Sequence, residues 1–162
     1  MAGNPEFSLR KGTEDDCRAL AALEKKAYPA VHQAWTEENF KAELEKPYSE
    51  SYVLTDEETD QHVIGYIVFW LMFEECQILN VAVDPAYRGK GYAKNMLRKA
   101  IDLALRKDLR RALLNVRKSN LSAIGLYQSV GFLITHIRKK FYADGEDAYE
   151  MILDLSGSKL EF

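Results

Sequence analysis

Cysteine and histidine are scarce in this chain, at two and three residues among 162. Cys17 and Cys76 lie far apart without metal-ligand spacing, which excludes a disulfide framework and reads as two reduced thiols, one in a helix and one in a strand. His32, His62 and His136 are scattered, so no metal site is expected. Long apolar runs are also missing. The longest, VIGYIVFWLMF at Val63–Phe73, is too short to span a bilayer. No signal pattern precedes the first expected strand, so the expectation is a cytoplasmic protein with no membrane partner. Repeats, low-complexity segments and linkers are absent as well.

What is present is a globular profile, 47% hydrophobic and 29% charged. One domain over residues 7–155 is expected, with 1–6 and 156–162 reading as vector-derived or frayed ends. The net charge of -3 is unevenly spread. Arg88–Lys118 holds eleven basic residues against two acids, and Thr36–Glu75 holds eleven acids against two lysines. An anion site on one side and a cationic partner on the other would fit, as would two solvated faces.

FSLRKG reads as a first strand closed by Gly12, with Thr13 capping a helix that Pro29 stops. WTEENFKAELEK repeats the start signal, with Thr36 as cap and Asn39 at the third helical position. SYVLTD, HVIGYIVFWLMF and CQILNVAV read as three strands. Ala93, Met96, Leu97, Ala100, Ile101 and Ala104 recur at three- and four-residue steps and predict a helix over 92–107. RALLNV is then a strand, and NLSAIGLYQSV a helix capped by Asn120 and closed by Gly131. FLITHIRKKFY and DAYEMILDL form a final strand pair around ADGE. The order β-α-α-β-β-β-α-β-α-β-β predicts an α/β (α+β) fold, a mixed sheet with helices on both faces.

The strand-to-helix junction YRGKGYAKN, Tyr87–Asn95, is the clearest chemical signal. It lacks the four-residue spacing of a P-loop and the third glycine of a dinucleotide-binding loop. It does place backbone N–H groups at a helix N-terminus, where the macrodipole and the charges of Arg88 and Lys90 favour an anion.

With its flanks the stretch says more. NVAVDPAYRGKGYA matches the R/Q-x-x-G-x-G/A motif of the GNAT acetyltransferases. The chain from about Phe7 to Leu155 resembles the RimI-type and related protein N-terminal acetyltransferases, as NVRKSNLSAIGLYQSVGF and KKFYADGEDAYEM also show. The resemblance implies the GNAT fold, a single mixed, mostly antiparallel sheet with a splayed strand pair holding acetyl-CoA, and no metal. It assigns the CoA pyrophosphate to Arg88, Gly89, Lys90, Gly91, Tyr92, Ala93 and Lys94, and the pantetheine arm to the strand edge at Val81, Ala82 and Val83. Asn120 would contact CoA and Tyr127 would serve the leaving sulfur. Tyr28, Val31, Trp35 and Tyr142 would line the substrate groove.

A phenol is ordinarily a weaker acid than a thiol, so proton transfer from Tyr127 would be uphill by roughly 2 kcal/mol in water, and hydrogen bonding to the developing thiolate is the safer role. The chain departs from the family at its base. RimI-type enzymes carry a glutamate, and relatives a histidine, where this sequence has Asn115. Deprotonating an α-amine at pH 7 costs only about 1 kcal/mol against nearly 5 kcal/mol (roughly) for a lysine, so the loss is tolerable for an N-terminal substrate. Glu74 or Glu75, before the CoA slot, is the expected substitute, acting through water. The implied activity is acetylation of a protein N-terminus, that of a small-subunit ribosomal protein, with no nucleic acid as direct substrate. Acetylation of lysine or small amines, or a weakened CoA-binding module, are the alternatives.

Overall fold

A computed structural model describes residues 7–29, 34–57 and 62–157. Strands β1 (Phe7–Lys11), β2 (Ser49–Asp56), β3 (His62–Met72), β4 (Glu75–Val83), β5 (Arg111–Arg117), β6 (Leu133–Arg138) and β7 (Ala148–Asp154) join in one sheet of order β1-β2-β3-β4-β5-β7-β6. Helices α1 (Cys17–Ala27) and α2 (Glu37–Leu44) separate β1 from β2, α3 (Tyr92–Arg106) joins β4 to β5, and α4 (Leu121–Val130) joins β5 to β6. The expected element order holds throughout. In contacts the chain forms two compact units, one from the chain up to Phe69 with Asn80–Arg98, the other from Trp70–Leu79 with Lys99 onward.

In the first unit β1 pairs antiparallel with β2, from Phe7 opposite Asp56 to Lys11 opposite Tyr52. Leu20 and Leu23 of α1, Phe40 of α2, Val53 of β2, and Met96 and Leu97 of α3 are buried core. Gly65 on β3 sits at a close approach: a Cβ there would meet Ala82 O and Met96 Cε at 3.1 Å, so a larger residue would have to push these neighbours aside by a few tenths of an ångström. Thr36 and Asn39 form the reciprocal cap expected of α2, each side chain accepting from the other's backbone N–H (2.9 and 3.1 Å). The start of α1 differs from the expectation. A 3-10 turn at Glu14–Asp16 intervenes, because Asp16 reaches back to accept from Thr13 N (2.7 Å) while gripping the Arg10 guanidinium (2.8 and 2.9 Å).

In the second unit the parallel pairing of β4 with β5 is confined to Glu75–Gln77 against Arg111–Leu113. β5 pairs antiparallel with β7 over its whole length, from Arg111 opposite Asp154 to Arg117 opposite Ala148. β7 in turn pairs with β6, where a bulge falls between Ile134 and His136. Ala112, Leu114, Phe132, Met151 and Leu155 are the buried core here. The last strand pair also differs from the expectation. β6 ends at Arg138, so Tyr142 lies in the loop before β7. Lys140 turns with φ 51. The loop then closes on itself through Tyr142 N to Glu146 O (3.1 Å), Gly145 N to Tyr142 O (2.9 Å) and Lys140 N to Asp147 Oδ1 (2.9 Å). Among the described residues, no helix is long and apolar enough to cross a membrane.

Candidate active site

The first unit carries the glycine turn. Asp84 opens it as the cap of a 3-10 turn, accepting from Ala86 N (2.9 Å) and pairing with Lys26 Nζ (2.9 Å). Gly89 and Gly91 follow at φ 79 and 84. Because nothing lies within 4 Å of an added Cβ at either position, backbone conformation rather than crowding requires glycine. Asn95 N–H makes the first bond of α3, to Gly91 O (3.1 Å). The N–H groups of Tyr92, Ala93 and Lys94 therefore precede any intrahelical acceptor, at the positive end of a fifteen-residue helix. Phe7 braces the turn, its ring centroid 6.2 Å from Tyr87 and 4.5 Å from Tyr92. Such a turn fits a pyrophosphate. Arg88 contributes less than its charge suggests. Its guanidinium donates to Ala27 O (3.1 Å), its own N–H to Pro85 O (3.4 Å).

Val81, Ala82 and Val83 are buried, and the Tyr28 hydroxyl donates to Val81 O. Burial, with the Glu24 charge nearby, pushes the Tyr28 phenol up to about 12, so that hydroxyl is a structural donor. Trp35 packs on Phe40, ring centroids 5.2 Å apart, and its backbone N–H donates to Glu24 Oε2 (2.8 Å). Val31 lies outside the described residues.

Glu24 itself escaped the sequence reading. It is a buried carboxylate accepting from Trp35 N, from the Tyr66 hydroxyl (2.6 Å) and from Asn80 Nδ2 (3.1 Å). The signal was present: a glutamate between Leu23 and Ala27 on the apolar face of α1 must find donors.

The second unit carries Asn115, Asn120, Tyr127 and Tyr142. Asn115 Oδ1 is buried without a hydrogen-bond partner. Asn120 caps α4, accepting from Ala123 N (3.2 Å). Tyr127, on the same helix, is buried against Phe132 with ring centroids 6.0 Å apart. Tyr142 is half-buried under the Arg117 guanidinium, 4.1 Å above its ring centroid, and burial raises its pKa. Arg117 also pairs with Asp144 (2.8 Å) and Glu146 (3.0 Å), and Glu146 accepts from Ser119 N (2.8 Å). One guanidinium thus ties the end of β5 to the loop bearing Tyr142.

Glu74 and Glu75 are not brought to Asn115. Glu74 sits in the β3–β4 turn beside Arg110 (3.7 Å), and Glu75 pairs with Arg111 (3.0 Å), to which it is also opposite in register. Arg111 is four residues from Asn115 along β5, about 13 Å at the rise of a strand. The expectation that either glutamate substitutes for the missing base is therefore corrected: each is held by an arginine at the far end of the strand. Glu150 stands instead directly opposite Asn115, buried on β7.

Cys17 and Cys76 are both buried and free, and burial pushes the Cys76 thiol up to about 12, which makes it unreactive.

Known proteins resemble this chain in sequence and fold. Residues 17–132 match the Acetyltransferase (GNAT) family, whose acetyl donor is acetyl-CoA. A Bacillus subtilis (strain 168) protein with the provisional name [ribosomal protein bS18]-alanine N-acetyltransferase is 42% identical over 119 residues, 72% of this chain and 77% of that protein. The [ribosomal protein bS18]-alanine N-acetyltransferase of Escherichia coli (strain K12) is 30% identical over 148 residues, 85% of this chain and 97% of its own. The crystal structure of the ribosomal-protein-S18-alanine N-acetyltransferase from Escherichia coli superposes with a TM-score of 0.82 at 28% identity, covering 93% of this chain and 95% of that one. Family match, relatives and fold agree, and the chain belongs to the GNAT family of acetyltransferases.

Proposed function

We propose that this enzyme transfers the acetyl group of acetyl-CoA to the α-amine of a protein N-terminus, with an N-terminal alanine of the bS18 type as its substrate class. The relatives named for that reaction support the reading. The observation that carries it within the molecule is Asn115, a carboxamide with a buried, unpartnered oxygen where a strong base would be needed for lysine. An α-amine loses its proton at neutral pH for about 1 kcal/mol, so an acceptor that orients the nitrogen suffices.

The chain's own residues divide the work. The N–H groups at the start of α3, with Lys90 and Lys94, hold the pyrophosphate, and the β4 edge at Val81–Val83 pairs with the pantetheine amides. Acetyl-CoA supplies the activated thioester. Asn120 contacts the CoA from the N-terminus of α4. Tyr127 donates a hydrogen bond to the sulfur as charge develops on it. Tyr142, fixed by Arg117, engages the peptide backbone, and Tyr28 and Trp35 flank the first side chain.

Acetyl-CoA consumption measured on peptides with free and blocked N-termini tests this. Turnover of an Ala-initiated peptide, abolished by N-terminal blocking, is expected. Turnover retained on blocked peptides, with the label on lysine, would overturn the reading in favour of side-chain acetylation.

A further inference from the structure

The sheet register brings together three residues that the sequence keeps far apart. Asn115 on β5 is directly opposite Glu150 on β7, and Glu150 is directly opposite His136 on β6. Residues directly opposite in antiparallel strands share a face, with Cβ atoms about 5 Å apart. Asn115, Glu150 and His136 therefore form one row across the face. The β6 bulge makes this possible. Simple alternation from Leu133, opposite Ile152, would bring Thr135 opposite Glu150; the extra residue puts His136 there instead. Thr135 is left to donate its hydroxyl to Glu150 O (3.2 Å).

Within the row, Glu150 and His136 are in direct contact. Glu150 is only 9% exposed, its Oε1 lies 3.2 Å from His136 Nδ1, and its Oε2 pairs with Arg138. A carboxylate facing Nδ1 holds the proton of a neutral imidazole there and leaves Nε2 as an acceptor, with the ring largely in solvent. The charged groups beside the row on this face are Arg138 on β6 and Arg117 on β5, both flanking Ala148 in register. On the other side lie Leu113, Ile152 and Leu133. At the inner end Asn115 presents its unpartnered oxygen, an acceptor suited to an amine N–H or a bridging water.

We propose that the Glu150–His136 pair collects the proton leaving the substrate amine, so that the carboxylate missing from position 115 is supplied from the adjacent strand. The proposal rests on the reaction above. As the amine nitrogen bonds to the acetyl carbon and the C–S bond breaks, the nitrogen's proton passes from water at Asn115 Oδ1 along a chain of further waters to His136 Nε2, past Glu150, which lies between them in register. Glu150 stabilises the imidazolium that results. The departing thiolate, held by the hydrogen bond from Tyr127, takes its proton from solvent, and His136 returns its own to bulk water, so the cycle closes without another reagent.

Glu150→Gln, His136→Asn and their double variant, with kcat, KM and pH profiles on an Ala-initiated peptide, provide the test. Each single variant is expected to lower kcat at least about tenfold with little change in KM for acetyl-CoA. The double variant should be no slower than the worse single, since the two act as a unit. The acidic limb of the profile should move in both. Asn115→Glu placed on Glu150→Gln should restore most of the rate, by returning the carboxylate to β5. Wild-type kcat and an unmoved acidic limb in His136→Asn, whose exposed ring the fold does not need, would overturn the proposal even if Glu150→Gln fails to fold. If the wild type acetylates only lysine or small amines, the proposed substrate fails, and the same variants assayed on that amine still decide the pair. A wild type that binds acetyl-CoA and turns over no amine overturns both.

Discussion

Under the proposed reaction, Gly91 serves donor binding and Tyr127 the transfer, and single substitutions separate the two. Gly91 has φ 84 and open space around its missing Cβ, so Gly91→Ala introduces conformational strain of roughly 1–2 kcal/mol and no clash. If the left-handed turn is what aims the N–H groups of α3, the substitution should raise KM for acetyl-CoA about tenfold and leave kcat within twofold, measured by steady-state kinetics. Tyr127→Phe should do the reverse. The ring is buried against Phe132, and phenylalanine preserves that packing while removing only the hydroxyl. A loss of about 10²-fold in kcat with an unchanged KM for acetyl-CoA is the expected result. A rate unchanged in the variant would remove the hydroxyl from the mechanism.

Elements are positioned here by a few buried or half-buried charges that local pattern does not announce. Glu24 links α1 to β3 through Tyr66, to β4 through Asn80, and to the segment before α2 through Trp35 N. Asp16 does the same for the entry to α1, bonding Arg10 on β1 and the backbone of Thr13. The hydrogen bond from Arg10 leads the causes that hold the Asp16 carboxyl below its ordinary range. A carboxylate with a lowered folded-state pKa contributes stability that is full above its unfolded value and fades as pH falls through the folded one. Asp16→Asn should therefore cost about 2 kcal/mol at pH 7. In urea titrations the gap between wild type and variant should narrow steadily below pH 4 and not change between pH 6 and 8. A gap independent of pH would mean that the contact acts through shape and not charge.

At the scale of the molecule, the element order and the glycine turn before α3 were legible because both are local. Helix periodicity, caps and the glycine spacing within Tyr87–Asn95 each report on a few neighbouring residues. The insertion of β7 between β5 and β6 was not legible, nor was the bulge that turns His136 toward Glu150, since register depends on strands far apart in sequence. Charge pattern was legible only in part. The acidic stretch looked ready for a basic partner, yet Glu37, Glu43, Glu50, Glu74 and Glu75 are bound to Lys41, Lys46, Lys11, Arg110 and Arg111. Lys90 and Lys94, beside the α3 N-terminus, have no carboxylate partner among the described residues. On the proposed reading, attraction at this turn is thus weighted toward the anionic donor, while the paired acids do less for a cationic acceptor. Raising salt from about 50 to 500 mM shortens the Debye length from about 14 to about 4 Å and should raise KM for acetyl-CoA several-fold. KM for a lysine-rich Ala-initiated peptide should change less than about twofold over the same range. A steeper salt dependence for the peptide than for acetyl-CoA would show that acids left unpaired, and not the turn, dominate the field of the protein.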